Sequence, residues 1–267
     1  MCLVLMGWRT HPIYAVVVAA NRDELYRFAA APLAWRTMCG APLLAGLDVP
    51  SGGTWMGVNT AGRFGVVTNV RDRAPLAVRP TVSRGVLVPE FAASTQTPAN
   101  FTAALAPEQA RYGGFNLLVG DVGAGELWWA SNRTERPNEA VTPGIHTLSN
   151  AELDTRWPKT VGGSAEFERV MSADDGGRGW IEAYLDVLAD RRMAPWRALP
   201  PAPVSPLLGK PLSARFVRLG IYGTRASTVL RIRHDGGFDV TERRFNRLGQ
   251  KIGQTSEAGQ IVGAELG

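Results

Sequence analysis

One of only two cysteines in the chain directly follows the initiator methionine, in the opening "MCLVLMGW". Methionine is normally removed before a small residue, so the mature chain is expected to begin with Cys2. Its thiol would then lie beside its own α-amine. A thiol with an unperturbed pKa of about 8.5 needs help to become the nucleophilic thiolate. An α-amine titrating near about 7.7–8.0 can act as the base that a histidine supplies elsewhere. His11, His146 and His234 are the only histidines, and none lies in a recognisable Cys–His pattern. The plainer alternative makes Cys2 a small buried residue of a strand. Cys39, in the loop-like "RTMCGAP", has no evident base.

The next polar cluster is "ANRDE", where Asn21, Arg22, Asp23 and Glu24 follow a wholly apolar run. If the first two apolar runs pair as a hairpin, this end returns to Cys2. Arg22 could then lower the thiol pKa, and Asp23 could hold and orient the α-ammonium, with Glu24 competing for that role. The alternative is a strand end reaching solvent with an ordinary surface ion pair. "FGVVTNVRD", "GIHTLSNAELDTRWPK" and "GIYGTRASTVL" share the same form, an apolar strand with a polar residue at its end. Asn69 and Asn150 are uncharged donors of the kind that line an oxyanion hole. Arg225 could bind a substrate carboxylate or phosphate, or pair with Asp23.

Positioning such groups requires strands that end together. "CLVLMGW" and "YAVVVAANR" read as short strands around the turn "RTHP". "PLLAGLD" is a further strand, and "GTWMGVNTAGRFGVVTNV" reads as a hairpin around "NTAGR". "RGVLVPEFAAS" and "PANFTAALAPEQA" read as helices. "FNLLVGDVGAGELWWAS" is a second hairpin turning at Gly123 and Gly125, and "GIHTLSNA" is a strand leading into a loop. "DTRWPKTVGGSAEFERVMS" and "GWIEAYLDVLADRRMA" are helical. The second places Ile181, Tyr184, Leu185 and Leu188 at helical spacing. The proline-rich "PWRALPPAPVSPLLGKP" is an extended, lid-like segment. "ARFVRLGIYGTRASTVLRIRHDGGFDVTERRF" is a strand pair turning at "HDGG". From about residue 248 the pattern fades into what reads as a loosely packed tail. The alternation suggests two packed sheets with helices outside, in one domain over residues 1–267.

The 267 residues are 45% hydrophobic and 20% charged, ample for a sizeable core. The formal net charge of +5 comes almost wholly from arginine, since Lys159, Lys210 and Lys251 are the only lysines. The basic residues are scattered among acids and prolines, which argues against nucleic-acid binding. It leaves either a solvated basic surface or an arginine-lined pocket for an anionic ligand. Two cysteines make neither a disulfide framework nor a zinc site, and no metal or cofactor is implied. No secretory signal or membrane span is expected, and a cytoplasmic location follows.

Taken together and in order, "MCLVLM", "ANRDE", "GGTWMGVN", "VVTNVRD", "LSNAELDTRWPK" and "YGTRASTVL" resemble the NRDE family, also called the transport and Golgi organisation family. The resemblance runs from residue 2 to about "ERRF". That family is remotely similar to the choloylglycine-hydrolase and penicillin-V-acylase group of N-terminal nucleophile hydrolases. This implies an α+β fold, a four-layer αββα sandwich, and an N-terminal cysteine that attacks an amide. Carried over, Cys2 matches the nucleophile and Arg22 the arginine after the second strand. Asn69 matches an oxyanion or substrate-contact position, Asn150 the asparagine of an "LTN"-like motif, and Arg225 a late arginine. One departure concerns the hydrolases' aspartate three residues after the first arginine. That position is Leu25 here, and Asp23 follows Arg22 directly. The resemblance implies either a cysteine amidohydrolase (or thioesterase) acting on a small molecule, or a non-catalytic carrier. The carrier would hold an anionic, amphipathic ligand such as haem or an acyl-CoA or lipid-like molecule.

Overall fold

The first two apolar runs form neighbouring antiparallel strands, β1 (Cys2–Trp8) and β2 (Tyr14–Leu25), with Cys2 opposite Arg22 and Trp8 opposite Val16. They belong to a computed structural model that describes residues 2–70, 81–136, 138–200 and 205–262. The chain then crosses to a second sheet and builds it as a meander in sequence order. Its strands are β3 (Ala30–Met38), β4 (Ala41–Asp48), β5 (Met56–Val58), β6 (Arg63–Asn69), β7 (Phe115–Asp121), β8 (Glu126–Ser131) and β9 (Glu139–Ala140). Helices α1 (Leu87–Ala93) and α2 (Pro98–Ala104) interrupt it between β6 and β7. The chain returns through β10 (Gly144–Leu148), which pairs with β1. After α3 (Pro158–Ala173) and α4 (Trp180–Leu188) come β11 (Arg218–Leu219), β12 (Tyr222–Arg233), β13 (Gly237–Phe245) and β14 (Lys251–Gln260). The first sheet therefore runs β10-β1-β2-β12-β13-β14, with β11 beside β12.

The sequence makes four layers because both faces of the central strands are apolar. Side chains alternate across a strand. On β1, Val4, Met6 and Trp8 enter a core shared with Leu44, Phe64, Val66, Leu118 and Trp129 of the facing sheet. Leu3 and Leu5, from the opposite face, pack with Phe167 and Met171 of α3 and Tyr184, Leu185 and Leu188 of α4. The second sheet repeats the arrangement. Leu43, Ala45, Leu117 and Val119 meet Leu87, Val88, Phe91 and Phe101 of α1 and α2. These three cores define the expected αββα sandwich, and Ile181, Tyr184, Leu185 and Leu188 are buried as their spacing requires.

Two readings of the sequence are corrected. The stretch from about residue 248 is not a loosely packed tail, because β14 pairs with β13 from Lys251 to Gln260. Its polar sequence "KIGQTSEAGQ" conceals this, being that of an edge strand with water on much of its surface. The strand β3 gives no clear signal either, since its side chains alternate between exposed and half-buried along a sheet edge. In the proline-rich segment the described part makes short helical turns at Trp196–Ala198, Pro206–Gly209 and Pro211–Ser213. Residues 201–204 lie outside the described residues.

Close packing between sheet and connections has a sharp test in two glycines. A Cβ at Gly53 would lie 2.5 Å from the Gly85 carbonyl carbon, whereas one at Gly162, exposed on α3, meets nothing within 4 Å. Gly53→Ala should cost about 1–3 kcal/mol through overpacking. Gly162→Ala should add about 0.5–1 kcal/mol by favouring helix. Urea unfolding of both variants beside the native chain reads the two signs; equal effects would contradict this packing.

Candidate active site at the end of the sheet sandwich

Where the apolar inter-sheet core ends, a cleft of about 360 Å³ begins, and Cys2 stands at its edge. Cys2 shares its strand face with Val4 and Met6, so its side chain belongs to the inter-sheet side. The first sheet also contributes Arg22, Asp23 and Glu24. The facing sheet and its connections contribute Asp48, Trp55, Asn69 and Arg84. The cleft thus gathers four of the six residues singled out from the sequence.

Arg22 is 5% exposed and is held from two sides. Its Nη2 donates to Asp48 Oδ2 at 3.0 Å, and its guanidinium carbon lies 4.5 Å from the centre of the Trp55 ring. The ring fits because Gly46 has no side chain: a Cβ there would come within 2.3 Å of Trp55. The other terminal nitrogen, Nη1, is buried with no hydrogen-bond partner among the described residues.

Asp23 is 2% exposed. Thr224 Oγ1 donates to its Oδ1 at 2.6 Å, and the Tyr222 hydroxyl donates to its backbone carbonyl at 2.9 Å. Burial pushes its carboxyl up to about 6, against the lowering influence of the Lys159 charge and the Thr224 hydroxyl. Glu24, the competing acid, is half-buried and accepts the Leu25 N–H through Oε1. The buried carboxylate behind the strand end is therefore Asp23.

The two asparagines act in series rather than side by side. Asn150 is 2% exposed, and its Nδ2 donates to both the backbone oxygen and Oδ1 of Asn69, each at 2.8 Å. Both hydrogens of that amide are thereby engaged. With Asn69 Oδ1 fixed as the acceptor, its own Nδ2 is the donor left in the cleft wall. Ser149 ties the same loop to the start of β1, its Oγ donating to the Cys2 carbonyl at 2.7 Å. Both asparagines are candidate donors on the sequence reading, and here the amide hydrogens of Asn150 are taken up by Asn69.

Arg225 does not line the cleft. The β2–β12 register passes from Thr224 opposite Asp23 to Ala226 opposite Arg22, leaving Arg225 as the extra residue of a bulge. Its Nη1 donates to the carbonyls of Leu25 at 3.1 Å and Phe28 at 2.9 Å, and it sits over Tyr26. It fastens the chain leaving β2, and of its two expected roles the pairing with Asp23 falls instead to Thr224.

Sequence reasoning did not single out Asp48, Trp55, Ser149, Lys159, Thr224 or Arg84. Trp55, Ser149, Lys159 and Thr224 lie inside quoted motifs, and Asp48 ends an apolar run as Asn69 does. Arg84 carries no such signal. Cys39 lies in an exposed turn, where loss of solvation around its sulfur and the Glu90 carboxylate push the thiol upward. Among the described residues no three His, Cys, Asp or Glu gather as a metal site, and no helix is long and apolar enough to cross a membrane.

Two antiparallel sheets face to face with helices outside make the fold of the N-terminal nucleophile hydrolases. A solved mutant conjugated bile acid hydrolase from Clostridium perfringens shares it, with a TM-score of 0.52 at 9% identity, covering 100% of this chain and 94% of that one. Residues 1–247 match the family described as Transport and Golgi organisation 2, and the chain belongs to that family. A "Transport and Golgi organization protein 2 homolog" from Bos taurus is 34% identical over 263 residues, covering 91% of this chain and 92% of its own. The protein of the same description from Homo sapiens is 30% identical over 266 residues, with the same coverage.

The buried Asp23 gives stability a definite pH dependence. Its folded pKa of about 6 lies above the ordinary value of 3.8. Between those values the native state binds more protons than the unfolded state, so stability falls as pH rises from 3.8 to about 6 and then levels. At about 1.4 kcal/mol per pKa unit, the loss is on the order of 3 kcal/mol. Asp23→Asn, which can still accept from Thr224, should flatten that part of a denaturation series across pH. An unchanged slope would remove the assignment.

Proposed function

We propose that this chain is an N-terminal cysteine hydrolase that cleaves an amide or related acyl bond of a small molecule. The observation that carries the reading is Cys2 at the edge of a cleft beside buried Arg22, with Asp23 behind it and the Asn69 amide across from it. Removal of Met1 would place a free α-amine next to the thiol. The amine takes the thiol proton, and the thiolate attacks the acyl carbon. Asn69 Nδ2 donates to the developing oxyanion, with Asn150 holding it in that orientation. The C–N bond breaks as the α-ammonium returns the proton to the leaving amine. Water, deprotonated by the same amine, then hydrolyses the Cys2 thioester and regenerates the thiol. Asp23 orients the amine, Arg22 lies opposite Cys2 on the same side of the cleft, and Arg225 serves the frame rather than the reaction.

A carrier reading is supported by a different feature of the same cleft. Trp55, Val67 and Val82 give it an apolar side next to its arginines. That combination suits holding an amphipathic anion, such as haem or an acyl-CoA or lipid-like molecule, without cleaving it. A cytoplasmic setting fits either reading.

The two readings part at the amino terminus. Intact mass of the native protein should show Met1 removed. Slow alkylation, mapped by mass, should label Cys2 in a fast phase and Cys39 far more slowly. Cys2→Ser should abolish the fast phase and Cys39→Ser should leave it. Against a panel of N-acyl substrates, Cys2→Ala should lower turnover by at least about 10⁴-fold at unchanged Tm, as expected for loss of a nucleophile. A retained Met1 and two equally slow thiols would exclude the hydrolase and leave the carrier.

A further inference from the structure

We infer that this cleft recognises an anionic group on its ligand, a carboxylate or a phosphate, and that Arg84 is the residue that reads it. The inference rests on the reading of the Cys2 cleft as the ligand site. Arg84 lines that cleft and is half-buried. Its guanidinium makes no hydrogen bond or ion pair among the described residues, where the other buried or half-buried arginines all do. Arg63 is bonded to Asp121, Arg215 to Glu166 and Asp190, and Arg231 to Asp174 and Asp239. Arg36 and Arg225 reach carbonyls, and Arg22, Arg233, Arg243 and Arg244 face carboxylates.

A half-buried guanidinium with five donors and no acceptor is an unusual arrangement, and no carboxylate of the cleft forms an ion pair with it among the described residues. Asp48 is engaged by Arg22, Asp23 by Thr224, and Glu24 Oε1 by the Leu25 N–H. The second donor left without an acceptor is also cationic, the buried Arg22 Nη1. Desolvating such a donor without a partner is costly, and an anionic oxygen relieves it. The backbone under Arg84 is fixed. Ser83 Oγ accepts the Gly85 N–H at 3.2 Å, and the Gly85 carbonyl accepts the Thr54 N–H at 2.9 Å. Arg22 faces Cys2 across the strand ladder, so an anion held by the two arginines lies on the nucleophile's side of the cleft.

Two alkylating agents of similar size, iodoacetate and neutral iodoacetamide, test this on the native full chain. The quantity read is the Cys2:Cys39 labelling ratio with iodoacetate divided by the same ratio with iodoacetamide. Because Glu90 acts on Cys39, the diagnostic is the change in that quotient on substitution, not its starting value. Arg84→Gln should lower it about tenfold, the scale of one lost charge-assisted hydrogen bond, and Arg84→Lys should retain part of it. Butyrate protection of Cys2 that Arg84→Gln abolishes would assign a carboxylate. Protection by inorganic phosphate, lost in the same variant, would assign a phosphate. A quotient unchanged by Arg84→Gln, or protection by neither anion, overturns the inference. The quotient does not depend on absolute thiol speed. A Cys2 no faster than Cys39 with either reagent would therefore count against the hydrolase alone, while the anion preference would still be read.

Discussion

Burial of β1 and β2 on both faces is the constraint from which the rest of the site follows. A strand with apolar layers above and below offers no lateral exit for a polar group. Each fully buried aliphatic side chain contributes about 1.5–3 kcal/mol, so an uncompensated charge in mid-strand would cancel several of them. Polar residues are therefore pushed to the strand ends. Cys2 is the first residue of β1, and Arg22, Asp23 and Glu24 close the far end of β2. Antiparallel pairing brings these ends together, and the functional cluster is a consequence of where the core stops. Register is set by size rather than by polarity, since both faces are apolar. Gly7 lies against Met171 of α3, where a Cβ would come within 2.4 Å of sulfur, while Trp8 packs on Phe64 from the other face. A slip of one residue would exchange these positions.

Charges that do enter the sandwich are compensated locally, and each compensation holds two layers together. The Arg22–Asp48 pair links the two sheets at the cleft. Glu242, 1% exposed, accepts the Leu33 N–H and so joins β13 of the first sheet to β3 of the second. Asp174 and Arg231, both fully buried, join the end of α3 to β12, with Tyr184 of α4 donating to the same carboxylate. Removing one partner of such a pair leaves the other charge buried, the costly case. The arginine-rich composition is thus largely structural. Arginine supplies several directed donors from one buried charge, which a lysine cannot do.

The sequence made the layers legible because period and length were clear in their cores. The apolar runs of β1, β2, β6, β7 and β12 and the helical spacing of α4 needed no tertiary information. Edge strands were not legible. β14 carries Lys, Gln, Thr and Ser because its side chains meet water, and it reads as a tail. At the site, Cys2, Arg22, Asp23 and Asn69 could be placed because each ends an apolar run. The direction of a side chain at a bulge could not be placed. Arg225 lies in a quoted motif beside Thr224, yet one extra residue in β12 turns it away from the cleft and brings Thr224 to Asp23. Arg84 was invisible for a third reason. Its significance lies in the partners it lacks, and only coordinates show that no carboxylate of the cleft pairs with it among the described residues.

The series arrangement of Asn150 and Asn69 bears on how such a site keeps its geometry. A side-chain amide at a strand end can flip, and a flipped Asn69 would present its oxygen rather than its nitrogen to the cleft. Asn150 fixes the orientation by donating to the oxygen of that amide and to the backbone of the same residue. The adjacent Ser149 donates through Oγ to the Cys2 carbonyl at 2.7 Å. The loop after β10 therefore touches both the start of β1 and the end of β6, one from each sheet. Displacement of either sheet would be felt at the amide through this loop. On the proposed hydrolase reading, a donor positioned in this way needs no reorganisation when charge develops in front of it, which is the condition under which a hydrogen bond stabilises a transition state more than a ground state.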